Sequence, residues 1–201
     1  MLAIVQVRRA GRDDIAAAVQ TITEAFQEDP MWGWAFPDAQ QRPAQYRRWW
    51  AIYVASATRY DWIWLADDAD AVAVWIPPGG VELTDKDEAA VEPLLRELLG
   101  PWTDTVLEGL HGFDTAHPRD EPHYYLSLLG TRNDRRGNGI GMALLRECLA
   151  VIDAEGRPAY LESTNPANNR RYEGAGFVDI GTFAMPDAGP VVTRMWRPAR
   201  R

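Results

Sequence analysis

Residues 124–141 read Tyr124-Tyr125-Leu126-Ser127-Leu128-Leu129-Gly130-Thr131-Arg132-Asn133-Asp134-Arg135-Arg136-Gly137-Asn138-Gly139-Ile140-Gly141. The run Tyr124–Leu129 is short, apolar and bounded by glycine, and it predicts a β-strand. Gly130–Asn138 is polar and predicts a loop, and Gly139–Ala154 has apolar residues at helical spacing. A strand, a glycine-rich loop and a helix in this order indicate an anion site, because unpaired N–H groups and the positive dipole end lie at the helix start.

The loop also carries positive charge. Arg135 and Arg136 adjoin glycines that let the backbone approach an anion closely. A nucleotide P-loop is excluded, because the helix opens with Gly141-Met142-Ala143 and lacks Gly-Lys-Ser/Thr. A dinucleotide fingerprint fits poorly, because Met142 or Leu144 occupies its sixth position. The diphosphate of coenzyme A is the remaining phosphate ligand, and a glycine-rich turn with solvated arginines is the alternative.

The rest of the chain predicts a mixed α/β arrangement. A strand over Ala3–Arg8 precedes a helix with Ile15, Val19, Ile22 and Phe26 on one face, and another helix follows Pro43. Met31–Pro37 is aromatic, broken by glycine and bounded by proline, and we predict a loop there. The further predictions are a hairpin of Trp62–Ala66 with Ala71–Pro77, one or two helices within Asp85–Phe113, strands at Pro158–Ser163, Phe177–Phe183 and Val191–Trp196, and a short helix at Asn168–Glu173.

Two motifs together resemble the GNAT acetyltransferase superfamily. Arg136-x-x-Gly139-x-Gly141 is similar to its acetyl-CoA signature, Gln/Arg-x-x-Gly-x-Gly/Ala. Downstream, Asn165-Pro166-Ala167-Asn168 and Tyr172-Glu173-Gly174-Ala175-Gly176-Phe177 resemble its Asn…Tyr-Glu-x-x-Gly-Phe segment. The pattern Leu-Glu-x-x-Asn-Pro-x-Asn, which begins at Leu161, is similar to that of puromycin N-acetyltransferase-like members. The strong resemblance covers residues 121–183, and Thr131-Arg132-Asn133 departs from the family's frequent Val-Asp-Pro.

The resemblance implies the GNAT acyl-CoA N-acyltransferase fold, an α/β (α+β) fold. In this fold a mixed central sheet is flanked by helices, and a splayed strand pair holds the cofactor. We expect one such domain over residues 1–201, with acetyl-CoA as cofactor and no metal. The implied cofactor-binding residues are Leu129, Gly130, Thr131, Arg135, Arg136, Gly137, Asn138, Gly139, Ile140, Gly141, Asn165 and Asn168. The two asparagines are also ordinary turn residues beside a proline.

The resemblance further implies direct attack of an acceptor amine on the thioester in a ternary complex. Tyr172 matches the family tyrosine that protonates the leaving thiolate, and a packed helix tyrosine is its alternative role. A base must deprotonate the acceptor ammonium, and Glu162 is a candidate, acting directly or through water. His123 competes for this role. His111 and His117 are interpreted as surface or packing residues, and Cys148 as a buried, inert thiol.

The acceptor pocket is expected in the N-terminal half. Trp32, Trp34 and Phe36 follow Glu28 and Asp29, and an aromatic, acidic rim suits a cationic amine through cation–π and charge attraction. The alternative is that these aromatic residues fill the core.

Composition limits the partners. The chain has 201 residues, a net charge of −8 and a pI near 4.9, which disfavours nucleic acid. One cysteine excludes an intrachain disulfide, and the sequence lacks a signal peptide or a membrane-length apolar run. We expect a cytoplasmic N-acetyltransferase for the primary amine of a small molecule, with a homodimer left open. A catalytically weak or inactive CoA-binding module and an NAD-type oxidoreductase are the alternatives.

Overall fold

One seven-stranded sheet organises the described residues, 5–200, in the computed structural model of the chain. Its strand order is β1-β2-β3-β4-β5-β7-β6, and only the β4–β5 pair is parallel. The strands are β1 (Val7–Arg9), β2 (Ile63–Ala66), β3 (Ala71–Ile76), β4 (Tyr124–Thr131), β5 (Ala159–Ser163), β6 (Val178–Ala184) and β7 (Val191–Arg197).

Helices cover both faces of this sheet. They are α1 (Ile15–Ala25), α2 (Pro30–Ala35), α3 (Arg42–Ala57), α4 (Asp85–Leu99), α5 (Thr103–Ala116), α6 (Ile140–Ala154) and α7 (Asn169–Gly174). Strand β3 is buried along its whole length, so both of its faces pack against apolar side chains. Val72, Val74 and Ile76 join the core that contains α1 and α3, whereas Ala73 and Trp75 join the core that contains α6. The predicted mixed α/β fold with flanking helices is confirmed.

Strands β4 and β5 separate soon after they meet. They pair at Tyr124 with Ala159 and at Tyr125 with Tyr160, although β4 continues to Thr131. The backbone beyond Tyr125 therefore faces an open gap on the β5 side. This gap is the splayed strand pair that the sequence resemblance implied.

A β-bulge lies in β4 beside the gap. Val74 pairs with Leu128 and Trp75 with Leu126, so Ser127 has no opposite residue on β3. A bulge redirects a side chain away from the regular alternation. Ser127 uses this direction to donate a hydrogen bond to the carboxylate of Glu82.

The structure confirms the hairpin and corrects the Met31–Pro37 loop. Helix α2 occupies most of that segment, because Asp29 accepts hydrogen bonds from the Met31 and Trp32 amides at 3.0 and 3.1 Å. Pro30 stands at the first helical position, which suits its fixed φ. The predicted first strand lies partly outside the described residues, which begin at residue 5.

Candidate active site

The gap between β4 and β5 opens into a cleft of about 1310 Å³. Strand β4 lines one wall, the end of β5 and helix α7 line the opposite wall, and the start of α6 closes one end. The β3–α4 connection and the residues after α5 close the other end. The cleft therefore joins the two motifs of the family resemblance to residues from the first half of the chain.

The α6 end of the cleft is built to bind an anion. Gly137 and Gly139 have φ values of 82° and 74°, which glycine adopts without strain. Gly139 is the N-cap of α6, and the amides of Ile140, Gly141 and Met142 lie in its first turn, where the helix offers them no carbonyl. These N–H groups and the helix dipole favour a phosphate group.

Two other glycines serve close packing. A Cβ on Gly141 would lie 2.5 Å from Oγ1 of Thr131, so a side chain there would displace Thr131 from the cleft wall. A Cβ on Gly130 would lie 2.8 Å from the Cβ of Ala25, because α1 packs directly on this part of β4. Gly130 therefore reaches the cleft with its backbone, whereas the space above its Cα belongs to the α1 interface.

The arginines of the loop flank this anion cradle. Arg135 forms an ion pair with Asp70 at 3.2 Å, and Arg136 lies 4.0 Å from Glu28 and donates to the carbonyl of Ala25. Both line the cleft and are exposed, so each can turn toward a bound phosphate. Asn138 does not line the cleft, because its amide donates back to the carbonyl of Arg135 at 3.0 Å.

The wall after β5 holds both predicted asparagines. Asn165 accepts a hydrogen bond from the Ala167 amide at 3.0 Å, and Asn168 accepts one from Arg171 at 2.6 Å. Both residues line the cleft, and both also make hydrogen bonds within the turn. Their position is therefore compatible with either of the two predicted roles, cofactor binding and turn formation. Thr164 donates to Asp29 at 2.7 Å and ties this wall to the start of α2.

Tyr172 lies in the same wall. Burial, with the charge of Asp29 as a smaller cause, raises the pKa of Tyr172 to about 12. Its hydroxyl therefore keeps its proton at neutral pH and is available as a hydrogen-bond donor to the cleft.

Glu162 lies opposite β4 with a carboxylate that is nearly enclosed. Its side chain is 3% exposed, and Oε1 accepts no hydrogen bond. The nearest basic atom is Nδ1 of His117 at 3.6 Å. Burial and then the charge of Glu162 raise the pKa values of Tyr125 and Tyr160, so both phenols face this carboxylate in their neutral form.

Glu82 is a cleft residue that the sequence analysis missed. It follows the Pro-Pro-Gly-Gly segment after β3, and Ser127 holds its carboxylate at the cleft wall. Burial raises the pKa of Glu82 to about 7, and the charge of Glu162 adds to this effect. Sequence offers no local signal for it, because its environment comes from β4 and β5.

The two histidines beside β4 correct the sequence interpretation. His117 was assigned to the surface or to packing, but it lines the cleft next to Glu162. His123 contacts the His117 ring, and burial lowers the pKa of His123. Both ring nitrogens of His123 already have partners, at the Glu121 carbonyl and the His117 ring, whereas Oε1 of Glu162 has none among the described residues, so Glu162 is the candidate base that we favour.

The predicted aromatic rim is only partly present. Trp32 lines the cleft and packs edge-to-face against Trp50, with ring centroids 4.6 Å apart, and Glu28 lines it near Arg136. Phe36 is fully buried against Tyr46, so its assignment to the rim is wrong. Trp34 also lies outside the cleft lining. It packs against Trp102, because α2 turns its ring toward the start of α5.

Glu82 gives the first testable prediction. The pKa of Glu82 in the folded protein is about 7, above its ordinary value of 4.5. Its contribution to the free energy of unfolding is therefore fully present below pH 4.5 and is lost as the pH rises through about 7. We expect the melting temperature of Glu82→Gln minus that of the unchanged protein to increase as the pH rises from 5 to 8. Thermal denaturation at several pH values measures this difference.

The control for this prediction is Glu108→Gln, which alters an exposed carboxylate on α5 that lies outside the cleft. Its melting temperature should follow that of the unchanged protein across the range. A constant difference between Glu82→Gln and the unchanged protein would contradict the raised pKa.

Comparison with known proteins identifies the family. The profile of the acetyltransferase (GNAT) family matches residues 20–177. The chain belongs to the GNAT acetyltransferase family. A curated relative, an uncharacterized N-acetyltransferase of Schizosaccharomyces pombe, is 35% identical over 65 residues, which are 32% of this chain. The match spans 26% of that relative's length.

Solved structures share the GNAT fold over nearly the whole chain. A Corynebacterium glutamicum protein, described as histone acetyltransferase HPA2 and related acetyltransferase, is 24% identical with a TM-score of 0.67, over 98% of this chain and 97% of its own. An agmatine N-acetyltransferase is 16% identical with a TM-score of 0.65, over 96% and 98%. At these identities the likeness establishes the fold. No helix within residues 5–200 has the length and apolar character to cross a membrane.

Proposed function

We propose that the protein is an acetyl-CoA-dependent N-acetyltransferase that acetylates the primary amine of a cationic small molecule. The observation that carries this proposal is the buried, unpartnered carboxylate oxygen of Glu162 in the same cleft as the free amides of α6. The first group suits a proton-bearing amine and the second suits a diphosphate, so the cleft has a place for each reactant.

The α6 end fits coenzyme A. The amides after Gly139 and the guanidinium groups of Arg135 and Arg136 would hold the diphosphate, and the exposed backbone of β4 beyond Tyr125 would pair with pantetheine amides. Bound acetyl-CoA would supply the acetyl thioester and, after transfer, a sulfur leaving group that needs a hydrogen-bond donor. Tyr172 holds a proton at its hydroxyl for this purpose.

The opposite end of the cleft fits an ammonium group. Glu162 and Glu82 present carboxylates there, and Trp32, Trp50 and Tyr53 present aromatic rings. Partly desolvated carboxylates and ring faces both attract a cation. The ammonium form of the acceptor binds first, and Glu162 then removes the proton that blocks its nucleophilic attack.

The test combines binding with turnover. A thermal-shift titration with acetyl-CoA should raise the melting temperature, and NAD at the same concentration should not. Thiol release is then followed with a panel of primary amines that carry one charge, two charges or an aromatic group, beside neutral amides as a control. Binding of acetyl-CoA without thiol release with any amine would favour a CoA-binding module. Absence of both would overturn the proposal.

The finer assignments remain part of the proposal. They are the puromycin N-acetyltransferase-like subgroup, one domain over residues 1–201 and a cytoplasmic location, with a homodimer left open. Light scattering of the purified protein tests the assembly, and inclusion of puromycin in the amine panel tests the subgroup.

A further inference from the structure

We propose that His117 is a proton-relay residue, which takes the acceptor's proton from Glu162 and releases it to solvent. The inference rests on the proposed function, because it concerns the proton that an acceptor amine must lose. It is carried by a line of three groups, Glu162, His117 and His123, whose hydrogen-bond geometry leaves room for one additional proton.

The positions of the protons follow from the contacts. Nδ1 of His123 lies 2.7 Å from the carbonyl oxygen of Glu121, and a carbonyl only accepts, so Nδ1 carries the proton. A neutral His123 then has a lone pair on Nε2. Nε2 of His117 lies 3.1 Å from that atom and must donate to it. Neutral His117 therefore has its own lone pair on Nδ1.

This lone pair faces the carboxylate of Glu162. Nδ1 of His117 and Oε1 of Glu162 are 3.6 Å apart, which exceeds the length of a hydrogen bond, and Oε1 accepts no hydrogen bond from the described residues, although the phenols of Tyr125 and Tyr160 face the same carboxylate. Two acceptors that face each other without a proton bind one strongly, since a single proton converts the contact into a charge-assisted hydrogen bond. The arrangement is thus complete when it receives one proton from the acceptor ammonium.

The proton moves in two steps. The N–H bond of the ammonium breaks as an O–H bond forms on Glu162, and the amine keeps the electron pair that it uses for attack. The O–H bond then breaks as an N–H bond forms on Nδ1 of His117, which becomes an imidazolium. The His117 side chain is 23% exposed, whereas that of Glu162 is 3% exposed, so His117 is the member that can exchange with water.

The surroundings favour His117 as the last residue of the relay. Because its pKa is lowered, His123 stays neutral more readily than an ordinary histidine. It therefore keeps its hydrogen bond from Nδ1 to the carbonyl of Glu121, and its Nε2 lone pair holds the His117 ring in place. The three groups form a line. Within the part of the chain that the structure describes, no group of three or more His, Cys, Asp or Glu side chains is arranged to hold a metal ion. The titratable and charged groups that face this line from neighbouring elements are Glu82, Glu121, Tyr125, Tyr160 and Arg194.

The first test needs no acceptor and therefore stands apart from the proposed function. The chain has three histidines, so long-range proton–nitrogen NMR spectra of a tag-free, ¹⁵N-labelled protein resolve each ring. At pH 8 we expect a proton on Nδ1 of His123 and on Nε2 of His117. A proton on Nδ1 of His117 at pH 8 would overturn the relay.

The second test uses turnover. His117→Gln can donate a hydrogen bond to Glu162 but cannot carry a proton. We expect kcat to fall about 10-fold and to recover in part when imidazole is added, because a diffusible base can accept the proton in place of His117. His111→Gln is the matched control, since His111 is exposed on α5 and lies outside the cleft.

A purely structural role for His117 would give a different result. The His117→Gln variant would then change kcat or KM without recovery by imidazole, and this outcome contradicts the relay. Acetyl-CoA binding and melting temperature of the variant are measured beside it, and His117→Asn repeats the experiment with a shorter amide.

Discussion

Glu162→Gln should lower kcat by a factor of about 10² to 10⁴, the usual contribution of a positioned general base. Glutamine keeps the size of the side chain and removes its proton affinity. Because the acceptor ammonium then lacks the base that we propose for it, we expect only the fraction of amine that is already deprotonated in solution to react. Thiol release at saturating acetyl-CoA measures the effect.

The pH profile of Glu162→Gln provides a sharper test than the rate alone. Its kcat/KM should rise about tenfold for each pH unit below the pKa of the amine, since the free-amine fraction rises in that proportion. The unchanged protein should level off at lower pH. Glu173→Gln is the control, because Glu173 is exposed on α7 and lies outside the cleft. Retention of the unchanged rate in Glu162→Gln would remove Glu162 from the mechanism.

Tyr172→Phe should lower kcat about 10²-fold and leave the affinity for acetyl-CoA nearly unchanged. The pKa of Tyr172 is about 12, whereas that of a free thiol is about 8.5, so complete proton transfer to sulfur would be uphill by about 5 kcal/mol. We therefore expect Tyr172 to act by donating a hydrogen bond as charge develops on the sulfur. The rate should show no decline from Tyr172 ionisation between pH 7 and pH 10.

Tyr46→Phe is the matched control for this variant. The Tyr46 hydroxyl is buried without a partner in the aromatic core and lies outside the cleft lining, so its loss removes no contact with a reactant. We expect unchanged kcat and an equal or higher melting temperature. Equal kcat values for Tyr172→Phe and the unchanged protein would show that another donor serves the leaving group.

Local signals were sufficient for the cofactor end of the cleft. The glycines of residues 137–141, the two arginines and the following apolar periodicity lie within one stretch, so their backbone geometry and helix start can be predicted without the rest of the fold. The α2 segment was mispredicted although its signals were local too. Asp29 and Pro30 form a helix start, and the aromatic, glycine-containing composition that followed suggested a loop instead.

The environment of Glu82, His117 and Glu162 could not be predicted locally, because it forms from contacts between distant segments. Glu82 follows β3, His117 follows α5 and Glu162 lies in β5, and none has a neighbour in sequence that predicts its environment. Phe36 and Trp32 lie in the same short segment, yet one is enclosed by Tyr46 and the other reaches the cleft. Which side of α2 faces the core is fixed only when the helix docks against α3.

The sequence by itself determined the family, the strand–loop–helix unit and the anion cradle, because backbone conformation and helix polarity are properties of contiguous residues. The tertiary structure decided which carboxylates and imidazoles share one cleft and how strongly each is desolvated. Proton affinity depends on burial and on charges a few ångströms away, and the chain sets these distances only when β4 and β5 separate within the assembled sheet.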